Sequence, residues 1–311
     1  MLTSIKNLEL IPIGPHPEDV LIAPDGSVYM GLEDGRIMCM ATADNAMREV
    51  ANTGGRPLGL EFMLDGRLAV CDTRKGLLAV DANTGEVEVL VAKGQSSLNV
   101  CNNCAVAADG RIFFSDSTQR FTENEAVKDI VDCIATGRLL CWHADGRVEQ
   151  LIDGLLFANG VLVAPDQSFV LVAQTGRGCI NRLWLTGEKA GQQDKFVVEL
   201  PGLPDNLALG SDGLIWVALV TPFSDDLRRL HAAPRIVRYL VARLPQRLQP
   251  KQENYCRVAS LDLTGNLINI YDGDSEHYHF VTGVREYNGT VYLGSFENDA
   301  IARFQVKETK Q

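Results

Sequence analysis

The sequence predicts an all-β fold of six repeated sheets set around an axis, a six-bladed β-propeller with a helical insertion over one face. Three observations carry this. First, one unit recurs six times: "LIAPDGSVYMG" from 21, "EFMLDGRLAVCD" from 61, "AVAADGRIFFSD" from 105, "VLVAPDQSFVLVA" from 161, "ALGSDGLIWVAL" from 208 and "VREYNGTVYLGS" from 284. Each joins two short apolar strands through Asp-Gly, Asp-Gln or Asn-Gly, pairs that tolerate the backbone of tight turns. Second, further hairpins lie between them, among them "GLLAVDANTGEVEVLV" (76–91), "RLLCWHADGRVEQLI" (138–152) and "RVASLDLTGNLINIY" (257–271). Two hairpins in a unit of about 40–45 residues make a four-stranded blade. Third, "LELIPI" (8–13) is a strand without a hairpin partner, and "IARFQV" (301–306) offers it an edge that would close the ring.

The turns at Asp25, Asp65, Asp109, Asp166, Asp212 and Asn288 are separated by 40, 44, 57, 46 and 76 residues. The two long intervals mark insertions within one domain spanning residues 1–311. Residues 120–136 carry a short helical pattern. Residues 222–251 form a larger, basic insertion in which Ile236, Val237, Leu240, Val241 and Leu244 share one helical face. The expectation is a helix laid across one propeller face with its arginines solvated; a lid, a dimer contact or a membrane-surface helix is the alternative.

Composition narrows the function. A formal net charge of −11 excludes non-specific nucleic-acid binding, which rests on phosphate neutralisation by Lys and Arg. No apolar run approaches the length of a transmembrane segment, and "MLTSIKNLELIPIG" lacks a basic stretch followed by an apolar core. Eight dilute cysteines fit a reduced compartment, so the expectation is a cytoplasmic protein. "CNNC" (101–104) has no second half at zinc-finger spacing and is read as buried thiols.

In a propeller, equivalent positions on the innermost strands face the axis. Counting back seven residues from each turn gives Glu18, Leu58, Asn102, Asn159, Asp205 and Val281. Four of the six carry oxygen donors, and a shared register is hard to explain as separate turn caps. The set suits one divalent cation, calcium first, with Mg2+, Mn2+ or Zn2+ as alternatives. A cation with open positions polarises a carbonyl and acidifies water. The implied chemistry is hydrolysis of a lactone or ester, with Asp205 available as base or nucleophile. No GxSxG, HExxH, GxxxxGK[ST] or GxGxxG competes. The alternative is a non-catalytic propeller whose ion only ties blades together and which serves as a binding module.

At these residues the chain resembles the senescence marker protein, gluconolactonase and luciferin-regenerating enzyme family, and within it the strictosidine synthase-like and adipocyte plasma membrane-associated branch. The stretches that carry the resemblance are "GPHPEDV" (14–20), "GRPLGL" (55–60), "FANGVLVAPDQSFVLVAQT" (157–175), "NRLWLTG" (181–187), "LPGLPDNLALGSDGLIWVAL" (200–219) and "GTVYLGSFENDAIARF" (289–304). The resemblance implies a metal in the central channel, held at Glu18, Asn159 and Asp205, with Asn102 contacting metal or substrate. It implies lactone, aryl-ester or organophosphate hydrolysis, with a base or nucleophile at Asp205. A strictosidine synthase-type condensation is not expected, because Val281 stands where those enzymes carry a catalytic Glu. Phe296 stands where organophosphatase relatives place a His.

Arg56, two residues before Leu58, is a second substrate-binding candidate for an anionic group or a developing oxyanion. Phe157, Phe223 and Phe296 are candidate pocket walls. Strand alternation predicts that Asn103 and Asn206, one step past ring positions, point away from the axis.

Overall fold

The computed structural model describes residues 2–245 and 253–306. Among these, 25 strands form six sheets, one per repeat. The inner strands are Leu21–Ile22, Pro57–Phe62, Cys101–Val106, Ala158–Val163, Leu203–Leu209 and Val281–Tyr287. Each pairs antiparallel with the next strand in sequence, so every sheet runs from axis to rim.

The ring closes as the unpaired strand requires. Glu9–Pro12 pairs antiparallel with Ala300–Gln305, Glu9 opposite Arg303, and becomes the outermost strand of blade six. One strand lay beyond the repeat pattern: Leu2–Ser4 adds in parallel to the outer edge of blade five. Six apolar cores fill the six seams between successive sheets. The seam between blades six and one holds Ile11, Val20, Met30, Leu32 and Ile301, so closure buries an apolar core of its own.

A slip in pairing recurs in the inner strands. In blade two, Pro57 faces Asp72 and Leu60 faces Val70, which leaves one extra residue on the inner strand. The same bulge follows Cys101, Ala158, Pro204 and Val281. A bulge sets two residues against one and re-aims side chains.

The turns are not all alike. Blades one to five reverse through loops such as Ala23–Ser27, where the Asp25 carboxylate accepts from the Ser27 amide at 2.9 Å. Blade six uses a two-residue hairpin, Tyr287 paired with Thr290, with Asn288 at φ 50° and Gly289 at φ 80°. Both central residues with positive φ make the turn whose twist matches a tight hairpin.

The insertions carry three helices: α1 (Ala126–Asp132), α2 (Asp225–Ala232) and α3 (Arg235–Ala242). Ser224 caps α2 by accepting from the Leu227 amide at 3.2 Å. His231 of α2 meets the Ile130 carbonyl of α1 at 2.9 Å, tying the insertions together. Residues 246–251, the end of the basic insertion, lie outside the described residues. The apolar face expected to cover the propeller does not do so: Ile236, Val237, Leu240 and Leu244 are exposed, while Ala242 is buried. Arg238 instead turns inward, donating to the His231 carbonyl at 2.9 Å. Among the described residues no helix is long and apolar enough to cross a membrane.

Candidate functional site in the central channel

One cavity of about 220 Å³ opens at the axis beneath α1. Its floor holds Glu18, Leu58, Asn102, Asn159 and Asp205, five of the six positions obtained by counting. The sixth needs correction. Thr282, not Val281, lines the cavity, and Val281 lies in the apolar seam between blades five and six. The two-residue turn shifts the count by one, because blade six reaches its Asn-Gly sooner after the bulge than the other blades reach their Asp. Thr282 donates from its hydroxyl to the Glu18 carbonyl at 2.7 Å, joining the last inner strand to the first. Neither Val281 nor Thr282 supplies a carboxylate.

The bulges overturn a second expectation. Asn206 does not point away from the axis: its Nδ2 lies 3.4 Å from both carboxylate oxygens of Glu18. Asn103 likewise reaches inward, Nδ2 to Asp19 at 3.4 Å, while its Oδ1 accepts from the Val161 amide at 2.9 Å. Strict alternation would have sent them outward. The extra residue at each bulge lets two successive side chains enter the channel.

A second layer therefore lies under the first: Asp19, Gly59, Asn103, Gly160, Asn206 and Gly283, polar and glycine in alternation. Gly160 shows why. A Cβ there would sit 2.5 Å from the Asp205 carbonyl oxygen and 2.6 Å from Asn206 Cα, so a neighbouring inner strand already fills that space.

Burial dominates the electrostatics. Glu18 and Asp205 are 2% and 7% exposed. Desolvation pushes the Glu18 carboxyl well above the usual range, and repulsion from Asp205 and Asp19 adds to it. Desolvation does the same to Asp205, against a hydrogen bond from Asn159. Asp19 is pushed up to about 6 by burial, despite the opposing charge of Arg285.

The amides are oriented. Thr175 donates its hydroxyl proton to the Pro204 carbonyl at 2.7 Å, which leaves its oxygen to accept from Asn159 Nδ2 at 3.2 Å. Asn159 must then present Oδ1 elsewhere, and that oxygen has no protein partner. Asn102 Oδ1 and Asp205 Oδ1 are also buried without one. A buried acceptor left unsatisfied costs about 1–3 kcal/mol. Among the described residues no group of three or more His, Cys, Asp or Glu gathers to hold an ion. This floor is two carboxylates and two amides, an all-oxygen donor set of the kind hard divalent cations take.

Of the remaining candidates, Phe157 and Phe296 line the wall, joined by Phe280, which the sequence reading missed. Phe223 stands apart, packed on Arg228. Phe157 and Phe280 adopt positive φ, 59° and 51°. For aromatic residues this is a strained backbone of order 1–3 kcal/mol each, held by bonds from the Thr175 and Phe296 amides to their carbonyls. Arg56 is not brought into the cavity. It is buried behind Phe296, 5.3 Å from the ring centre, with Nη1 on the His16 carbonyl and Nη2 unpartnered. All eight cysteines are free and buried, including Cys101 and Cys104.

Comparison with known proteins agrees with this architecture. Adipocyte plasma membrane-associated protein of Gallus gallus is 33% identical over 325 residues, covering 93% of this chain and 77% of the relative. A gluconolactonase from Xanthomonas campestris superposes with a TM-score of 0.68 at 16% identity, over 96% of this chain and 89% of that one. The calcium-binding protein regucalcin from Agrobacterium tumefaciens superposes with a TM-score of 0.70 at 13% identity, over 98% and 95%. At those identities the superpositions speak to the fold, a six-bladed propeller. The family model described as SMP-30/Gluconolactonase/LRE-like region matches residues 28–237, and that of the strictosidine synthase-like N-terminal region matches residues 3–40. The chain belongs to the SMP-30/gluconolactonase/LRE-like family, in its strictosidine synthase-like branch.

Proposed function

We propose that this protein is a divalent-cation-dependent hydrolase of lactones or esters, with calcium as the first candidate ion. The observation that carries the reading is the set of buried, partnerless oxygens on Asn102, Asn159 and Asp205 at one cavity floor, beside the raised carboxyl of Glu18. Glu18, Asn102, Asn159 and Asp205 are the residues that would hold the ion. Bound there, it supplies Lewis-acid polarisation of an acyl carbonyl.

The chain's own residues supply the rest. The Asp205 carboxylate serves as base, taking a proton from the attacking water as the new C–O bond forms. It returns that proton to the leaving oxygen as the acyl–oxygen bond breaks. The Asn102 side chain positions the substrate. Leu58, Val220 and the three phenylalanines exclude bulk water and seat the apolar part of the molecule. Free cysteines throughout fit a reducing compartment, and we assign the protein to the cytoplasm.

The test is hydrolysis of a small lactone and aryl-ester panel by cation-stripped protein, with calcium, magnesium, manganese or zinc restored, alongside Asp205→Ala. Turnover that returns with the ion and is lost in folded Asp205→Ala supports the reading. Cation binding and a raised Tm without turnover on any substrate favour an ion that only joins the blades.

A further inference from the structure

We propose that the cavity takes esters or lactones that carry no negative charge, and prefers those bearing a cationic group on an apolar body. This rests on the hydrolase reading of the same site and adds the charge class of the substrate. Among the described residues that line the cavity there are four carboxylates, Glu18, Glu123, Asp205 and Glu297, and no Lys, Arg or His. A divalent cation on the floor balances Glu18 and Asp205. The other two stand on the wall and rim with only loose partners, Glu123 3.9 Å from Arg74 Nε and Glu297 3.7 Å from His279 Nε2.

An anionic substrate would therefore approach two carboxylates whose basic partners, Arg74 and His279, are not themselves part of the cavity lining. A cationic one would gain both, with Phe157, Phe280 and Phe296 to receive its apolar body. The Arg56 guanidinium is not part of the cavity lining: it lies 5.3 Å from the centre of the Phe296 ring, and from there its charge acts on Glu18 and Glu123. Its Nη2 is buried and unpartnered, and Phe296 is the cavity-lining residue that packs against it, so removing that ring would open a path from the cavity to this guanidinium. The unpartnered oxygens of Asn102, Asn159 and Asp205 mark the cavity as a place where a ligand is received.

The experiment uses the calcium-loaded protein and three phenyl esters with one common acyl chain. Their para substituents are of similar size: tert-butyl, trimethylammonium and sulfonate. The expected kcat/KM is highest for the ammonium ester and at least about 10-fold lower for the sulfonate, with the spread narrowing at high salt. Glu123→Gln with Glu297→Gln lowers the ammonium-to-sulfonate ratio. Phe296→Ala raises sulfonate turnover relative to tert-butyl by opening a path to Arg56, and Phe296→Ala with Arg56→Gln removes that gain.

Equal turnover of sulfonate and tert-butyl esters overturns the proposal and leaves the hydrolase reading intact. If no ester is hydrolysed, the hydrolase reading fails and the charge class is read from binding of the matched phenyl ketones by calorimetry. Tighter binding of the ammonium ketone then supports the proposal, and equal or tighter binding of the sulfonate overturns it.

Discussion

Asn206 Nδ2 lies 3.4 Å from both carboxylate oxygens of Glu18, although 188 residues separate the two in sequence. Glu18 makes this one long contact while facing two other buried carboxyls, Asp205 and Asp19. The charge of Arg56 offsets part of this repulsion, and a divalent cation held there would offset more of it. Glu18→Gln is expected to raise the stability of cation-free protein by about 1–2 kcal/mol at pH 8, since it removes one buried like charge. The same change should abolish the rise in Tm on adding calcium. Calorimetry with chelator and with calcium measures both, and a substitution that destabilises the two states equally would assign Glu18 a purely structural role.

The corrected register in blade six gives a second expectation. Val281→Glu places a carboxylate in the apolar seam with Tyr278, Val284 and Phe304, a burial that costs several kcal/mol, and folded protein should be lost. Thr282→Glu places it in the cavity, where calcium can meet it, and the protein should fold when calcium is present. Soluble yield and circular dichroism of the two variants distinguish the registers.

A third expectation concerns pH and the wall of the cavity. Asp129 of α1 accepts from the Thr118 hydroxyl at 3.0 Å, and burial pushes its carboxyl up to about 6. Its unfolded value is about 3.9. The folded state thus holds the proton where the unfolded chain has released it. This contribution is full below about pH 4 and fades as pH rises through 6, a loss of about 2–3 kcal/mol. Asp129→Asn should flatten the stability profile between pH 4 and 6 in denaturant titrations. Because Ala126, Val127 and Ile130 on the same helix line the cavity, KM should follow the same profile in the wild type.

Much of this was legible in the sequence because the first five turns share one construction. A fixed offset from each Asp then lands on one level of the channel, which is why Glu18, Asn102, Asn159 and Asp205 share a register visible in the sequence itself. The sixth blade broke the rule through its shorter hairpin. The second polar layer was hidden for a different reason: alternation assumes a regular strand, and a bulge leaves no mark in the sequence beyond the glycines at 59, 160 and 283. Thr175, which orients Asn159, opens the short 3-10 turn that follows the neighbouring strand and has no register signal. Periodicity found the apolar face of α3 but carried no information about what covers it, and Arg56 was close in sequence to the ring yet separated from it by one aromatic ring.

The pairing of Glu9–Pro12 with Ala300–Gln305 also sets a timetable for synthesis. A strand made among the first dozen residues has no partner until almost the whole chain has left the ribosome, and the same delay holds for Glu18, whose backbone is fixed by Thr282. Five blades can form while translation continues, but the oxygen floor stays one wall short until the sixth arrives. An ion held at that floor would therefore be captured late in the life of the nascent chain, and an incomplete chain would not compete for it.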